Sequence, residues 1–328
     1  MRLTLPAADG HPPALRSLGA LGPFLGVTLA SAVALILAGR AGQIAASPWT
    51  WVAALVPGVS FGSAGLIMQR QRKVPWTRIA ALAVVAIATR GLLVSTVSWK
   101  IAIPSWRGFG ADPALAAADR WLHGGVTPDR WLAPLLESAW FLPVMDWFYS
   151  VTWYAAFAGI TLWAAWRLDG RHLLAVALVW VVLGGLMATL FASAGPCYYG
   201  PLGYGDLYAP LMDRLHGMKL TAITIQDTLW RGYLGEETGV IAGISAFPSI
   251  HVAMPALWVA ALWRTRLRVP AIAYAALILL GSIALGWHYA LDGYAGAIGA
   301  LGCWWVAGRV LAGSGGRGRA GVDTDVLT

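Results

Sequence analysis

The chain is poor in charge and in cysteine. Only 12% of its 328 residues are Asp, Glu, Lys or Arg, and the acidic sign is the scarcer, with 15 residues against 23 basic ones. A soluble domain carries roughly a quarter charged residues, so a chain that is 58% apolar with a mean hydropathy of +0.65 is excluded from that class. Cys197 and Cys303 are the only two cysteines, too few for a disulfide framework or a cysteine metal site, and both read as packing residues. No apolar segment alternates with period two, which excludes membrane-spanning strands, and no internal repeat of fixed period is visible.

What is there instead is a series of apolar runs. Eight are long enough, or nearly so, to cross a hydrocarbon core that needs about 20 helical residues. They cover 20–38, 49–68, 77–97, 147–166, 172–193, 249–263, 269–287 and 291–311. The predicted fold is all-α, a polytopic membrane helical bundle of about eight transmembrane helices. Residues 1–70 form an N-terminal region with two additional helices, 71–312 a catalytic core, and the Gly-rich 313–328 a disordered cytoplasmic tail. The net charge of +8 does not point to nucleic acid, because the basic residues lie in short clusters between apolar runs.

Those clusters orient the chain. Arg70, Arg72, Lys73 and Arg78 lie between the second and third runs, and Arg264, Arg266 and Arg268 between the sixth and seventh. Placing both loops in the cytoplasm also puts Arg2, Arg16, Arg167, Arg171, Arg309, Arg317 and Arg319 there, a majority of the 23 basic residues. Both termini are then cytoplasmic, and the long connections 98–146 and 194–248 face the periplasmic, extracellular or lumenal side. The first is rich in tryptophan and suits short amphipathic helices at the interface. Arg90, alone in the middle of the third run, is either a functional cation or a structural partner inside the bundle.

The chemistry concentrates between Ala246 and Gly293. AFPSIHVAMP heads this stretch and WHYALDG ends it, so His251 starts the sixth run, His288 ends the seventh and Asp292 starts the eighth. The threading brings all three to the same membrane face. Pro248 disfavours helix at Phe247 and Ser249 is a good N-cap, so the sixth helix begins at PSIH. A second helix starts near Tyr289–Asp292, and two positive helix ends directed at one point would attract an anion such as phosphate. His288 and Asp292, four apart, fit a nucleophile held by a carboxylate. His251, on another helix, fits a general acid and base. Ser249 would hydrogen-bond the transferring group. A zinc site built from the same three side chains is chemically open, as is a transporter or lipid-binding protein whose histidines relay protons.

FPSIHVA followed by GWHYALDGYAG resembles the type 2 phosphatidic acid phosphatase superfamily, membrane phosphatases and phosphotransferases that use a phosphohistidine without metal or other cofactor. The family's Pro-Ser-x-His motif matches Pro248, Ser249 and His251, and its SRxxxxxHxxxD motif matches at His288 and Asp292 only. The resemblance covers the last six runs. It implies His288 as nucleophile, Asp292 as its orienting partner and His251 as general acid. Gly281 and Ser282 stand where the family has Ser-Arg, and the first motif, KxxxxxxRP, is missing before Gly195 and Pro196. That loss is similar to the inositol phosphorylceramide synthase-like branch, with which the SAGPCYYG segment and its Tyr198 are compatible. The resemblance implies a membrane lipid phosphate or phosphodiester as substrate, with water or a polar alcohol such as inositol as acceptor. The phosphate-binding cations must then come from elsewhere, and Arg231, Lys219 and Arg214 are the candidates, with Arg90 behind them.

Overall fold

The structure, a computed structural model, describes residues 19–37, 76–236 and 243–317. The expected second span (49–68), the cluster Arg70, Arg72 and Lys73, the N-terminal Arg2 and Arg16, and the chain beyond 317 lie outside the described residues. Among the described residues there are helices and no strands. We label the longer helices α1 (Gly22–Leu37), α2 (Trp76–Arg107), α3 (Asp112–Leu122), α4 (Phe141–Trp147), α5 (Trp153–Trp166) and α6 (Gly170–Leu178). There follow α7 (Ala209–His216), α8 (Thr221–Leu234), α9 (Ile250–Leu262), α10 (Arg268–Ala284) and α11 (Ala290–Arg317). Two widened π-helical segments, Phe148–Thr152 and Val179–Met187, join α4 to α5 and extend α6 towards Leu190.

Three helices are long and apolar enough to cross a membrane, Trp76–Arg107, Gly170–Leu190 and Ala290–Gly313, while Gly22–Ala34, Ile250–Leu262 and Arg268–Ala284 are shorter apolar helices. α2 runs well past the expected end at 97, through Pro104, so that Trp99, Lys100 and Trp106 belong to a helix and not to the following connection. The helix across 147–166 starts earlier, at Phe141, and α11 ends later, at Arg317, inside the segment expected as tail.

α9 packs between α10 and α11, α6 packs on α11 and α1, and α2 packs on α1 and α5. Small residues bring the helices of the site together, as expected where van der Waals contact must hold helices in lipid. At Gly296 of α11, any side chain would run into the Ser249 carbonyl at the head of α9. Arg78, Arg167, Arg171, Arg264, Arg266, Arg268 and Arg309 lie at one end of the bundle, three of them against aromatic faces: Arg78 on Trp166 (5.4 Å), Arg171 on Trp304 (3.9 Å) and Arg309 on Trp305 (5.0 Å). The opposite end holds the C-terminus of α2, the head of α9, the end of α10 and the head of α11.

That end is tied together by three aspartates of the connection after α2, each receiving two consecutive backbone amides. Asp112 accepts from Ala194 (2.7 Å) and Gly195 (2.8 Å). Asp119 accepts from Ala290 (3.2 Å) and Leu291 (2.9 Å), the first turn of α11. Asp146 accepts from Thr221 (2.7 Å) and Ala222 (2.8 Å), the first turn of α8. The last two satisfy helix amides that have no intrahelical acceptor and place negative charge at the positive helix end.

Candidate active site

A cavity of about 460 Å³ opens at this end of the bundle, with His251 and His288 in its lining. Their ring centroids are 6.5 Å apart and the rings are inclined by 46°. Behind His288, the fully buried Asp292 places Oδ2 3.3 Å from Nδ1 and also accepts the Tyr289 backbone N–H at 3.2 Å. With the proton on Nδ1, shared with that carboxylate, the Nε2 lone pair is the nucleophilic site. Burial, and after it the Lys100 ammonium, lower the His288 imidazole to about 3, against a smaller upward pull from the Ala246 backbone. The ring is therefore neutral at neutral pH, the form that can attack phosphorus.

His251 is held between two aromatic side chains. Tyr149 stacks on it at 4.4 Å and 12°, and Trp153 lies at 4.3 Å and 34°. Trp153 Nε1 also donates to the His251 carbonyl at 2.9 Å. Both aromatics come from the junction of the first π segment with α5, a widening of the kind often found at functional sites. As the sequence predicts, Ser249 is the N-cap of α9, accepting from the Val252 N–H at 3.3 Å. The Ser249 N–H donates to the Asp292 carbonyl at 3.0 Å, which ties the head of α9 to the head of α11 and so fixes His251 relative to Asp292.

A structured turn closes the other side. Gly195 has φ of +99°, and a side chain there would stand 2.5 Å from the Trp287 carbonyl, so glycine is required both by the left-handed backbone and by the close approach. Cys197 N–H donates to the Gly286 carbonyl at 2.9 Å, fastening the turn to the loop that carries His288.

The remaining predicted site residues divide. Tyr198 lines the cavity, but its hydroxyl donates to the Gln226 carbonyl at 3.0 Å. Ser249 is buried and outside the lining, with its oxygen accepting from Val252 in the cap. Arg214, Lys219 and Arg231 are exposed and none of them lines the cavity; Arg214 donates to the Leu136 carbonyl at 3.1 Å. Arg90 is also outside the lining. The expectation that two helix N-termini converge on an anion is corrected too, because the first amides of α11 are taken by Asp119.

Lys100 from α2 and Tyr149 from the π segment are among the lining residues that the sequence reading did not single out. The signal for Lys100 is its spacing from Arg107, which keeps the KxxxxxxR of the family's first motif with Gly108 in place of its proline; Tyr149 is one aromatic among many and gave none. Among the described residues no three His, Cys, Asp or Glu side chains are grouped as a metal-ligand set.

Residues 113–306, more than half of the chain, match the family model of the PAP2 superfamily. The chain belongs to the PAP2 superfamily. No curated protein and no solved structure gives a match. The PAP2 segment contains His251, His288 and Asp292 and begins after the end of α2, so Lys100 reaches the cavity from outside it. Superfamily membership points to a phosphatase-type activity and a membrane setting.

Proposed function

We propose that this protein transfers a phosphoryl group from a membrane lipid phosphate or phosphodiester through a phosphohistidine on His288. The observation that carries this reading is the buried His288–Asp292 pair facing a second imidazole, His251, across one cavity. Nε2 of His288 attacks phosphorus as the bond to the leaving oxygen breaks, and His251 gives that oxygen its proton. The phosphorylated ring is cationic, and Asp292, on Nδ1, stabilises it. His251, now neutral, takes a proton from water or from an alcohol whose oxygen attacks phosphorus, and Nε2 leaves with its lone pair restored. Hydrolysis and head-group transfer, to inositol or another polar alcohol, thus differ only in the second nucleophile.

The cavity walls favour a lipid. Ile225 and Leu229 of α8, Ile244, Ile250 and Trp287 give it an apolar lining beside the two imidazoles. The short loop carrying Arg264, Arg266 and Arg268 faces the cytoplasm by the positive-inside rule, which directs the cavity to the other side of the membrane, at headgroup depth. The replacement of Ser-Arg by Gly281 and Ser282 and the Pro- and Tyr-containing turn support a place near the inositol phosphorylceramide synthase-like branch.

The test is trapping: the full chain in detergent is incubated with lipid labelled in its phosphate, quenched in base and mapped. Label on His288, absent in His288→Asn, is the expected result. Label elsewhere, or turnover by the Asn variant, would refute the assignment.

A further inference from the structure

α10 meets the start of α5 at Tyr274, whose hydroxyl shares a hydrogen bond of 3.0 Å with Thr152. Beyond that bond, away from the active-site cavity, α5, α9 and α10 enclose a second hollow of about 410 Å³, a volume typical of small-molecule sites. It is a groove lined by Ile160 and Trp163 of α5, Trp258 and Leu262 of α9, and Leu267 and Ala271 at the head of α10. No charged side chain lines it among the described residues. Charge stands at its mouth instead. Arg167 lies over the ring of Trp163 at 5.4 Å, Arg266 and Arg268 flank Leu267, and Arg264 follows Leu262 by two positions. All four are exposed, and residues 250–291 contain no Asp or Glu to offset them. Asp169, the carboxylate nearest Arg167 in sequence, caps α6 by accepting the His172 amide at 3.0 Å.

We propose that this groove binds one acyl chain of an anionic phospholipid from the leaflet opposite the active-site cavity, with the lipid phosphate on the arginines at its mouth. The match is in both halves of the ligand: the hollow is apolar along its length, and the guanidinium groups stand where the chain would emerge into the headgroup layer. Each basic residue near an anionic surface adds attraction, and guanidinium suits phosphate by its planar array of donors. An apolar helix from a second copy would cover the hollow but bring nothing to meet the arginines. The three walls are also the helices that build the active site. α9 begins with His251 just behind its cap, α10 leads to His288, and α5 begins with Trp153 against His251. A lipid chain wedged between them holds their spacing at the end remote from the chemistry. This site is separate from the catalytic cavity and stands whatever reaction that cavity performs.

The experiment is photolabelling of the full chain in phosphatidylcholine vesicles. One probe is phosphatidylglycerol with a diazirine midway along an acyl chain, the other phosphatidylcholine with the same diazirine, and label is mapped by mass spectrometry after digestion. The anionic probe is expected to label residues 156–163 and 258–274 about tenfold more than the neutral one, the scale of one to two charge contacts at a lipid surface. Arg264→Gln, Arg266→Gln and Arg268→Gln together should remove most of that excess. Ala271→Phe, which fills the groove, should abolish labelling there by both probes. Equal labelling by the two probes, or label spread evenly over lipid-facing positions such as Ile298 and Leu301 of α11, overturns the site as ordinary bilayer contact. Label confined to Ile225 and Leu229 of the catalytic cavity overturns it as well, and a dimer whose contacts map to the groove overturns the lipid occupant. The comparison of two probes on the wild-type chain decides the matter even if a variant fails to fold.

Discussion

The Tyr289 hydroxyl donates to the Asp112 carboxylate at 2.8 Å, joining residues 177 positions apart. The same carboxylate receives the amides of Ala194 and Gly195, so one buried side chain ties together α3, the turn at Gly195 and the residue next to His288. Its three donors all demand an acceptor, and no group other than a carboxylate can meet them all.

Asp112→Asn presents an N–H to one of those donors. Loss of a buried charge-assisted bond plus the new clash of donors should cost about 3 kcal/mol of stability, and the displaced Tyr289 should lower kcat more than it alters KM. Tyr289→Phe, which removes one bond and leaves no clash, should lose about 1 kcal/mol. Thermal melts alongside kinetics separate the two, and equal losses would show that the carboxylate is not the organising group.

His251→Asn should abolish turnover of a lipid whose leaving group is an ordinary alcohol, by about a hundred- to ten-thousandfold. A lipid ester of nitrophenol, whose leaving oxygen needs no proton, should recover most of the first step and accumulate label on His288. If both substrates lose activity equally, His251 does not serve as the acid.

The pH dependence of stability carries its own sign. Unfolded, His288 takes up a proton near 6.5; folded, burial holds it down to about 3. The unfolded state binds more protons between these values, so its contribution is fully present above pH 6.5 and lost as pH falls towards 3, at roughly 1.4 kcal/mol per unit. Wild type should therefore lose more melting temperature than His288→Asn between pH 7.5 and 5. Parallel losses would contradict a buried neutral imidazole.

Asp119→Ala strips the first amides of α11 of their acceptor and should cost about 1 kcal/mol or somewhat more. Since those amides face Asp119 and not the cavity, affinity for the lipid substrate should change little. A large gain or loss in affinity would mean that the head of α11 binds the substrate phosphate.

Much of this was legible in the chain itself. The even number of apolar runs between His251, His288 and Asp292 already required them to share a face, and Ser249 after Pro248 marked the start of α9. The place of Lys100 in the cavity was not legible, for a physical reason: the apolar run ends near residue 97, yet α2 continues through Pro104 and carries Lys100 with it. Charge counting instead favoured Arg214, Lys219 and Arg231, which solvent can accommodate without any ligand. The clamp aspartates were hidden by distance. Asp119 caps a helix whose first amide lies 171 positions away, a pairing that no local pattern signals. Tyr149 owes its place to a backbone widening at Phe148–Thr152 that sequence periodicity does not reveal.

That widening makes the surroundings of His251 sensitive to chain length. Deleting one residue between Phe148 and Thr152 would return the turn to ordinary pitch and rotate everything on one side of it by about 100°. Either the tyrosine or the tryptophan face of His251 would then swing out towards lipid. Insertions and deletions, more than substitutions, should be the changes this helix tolerates least.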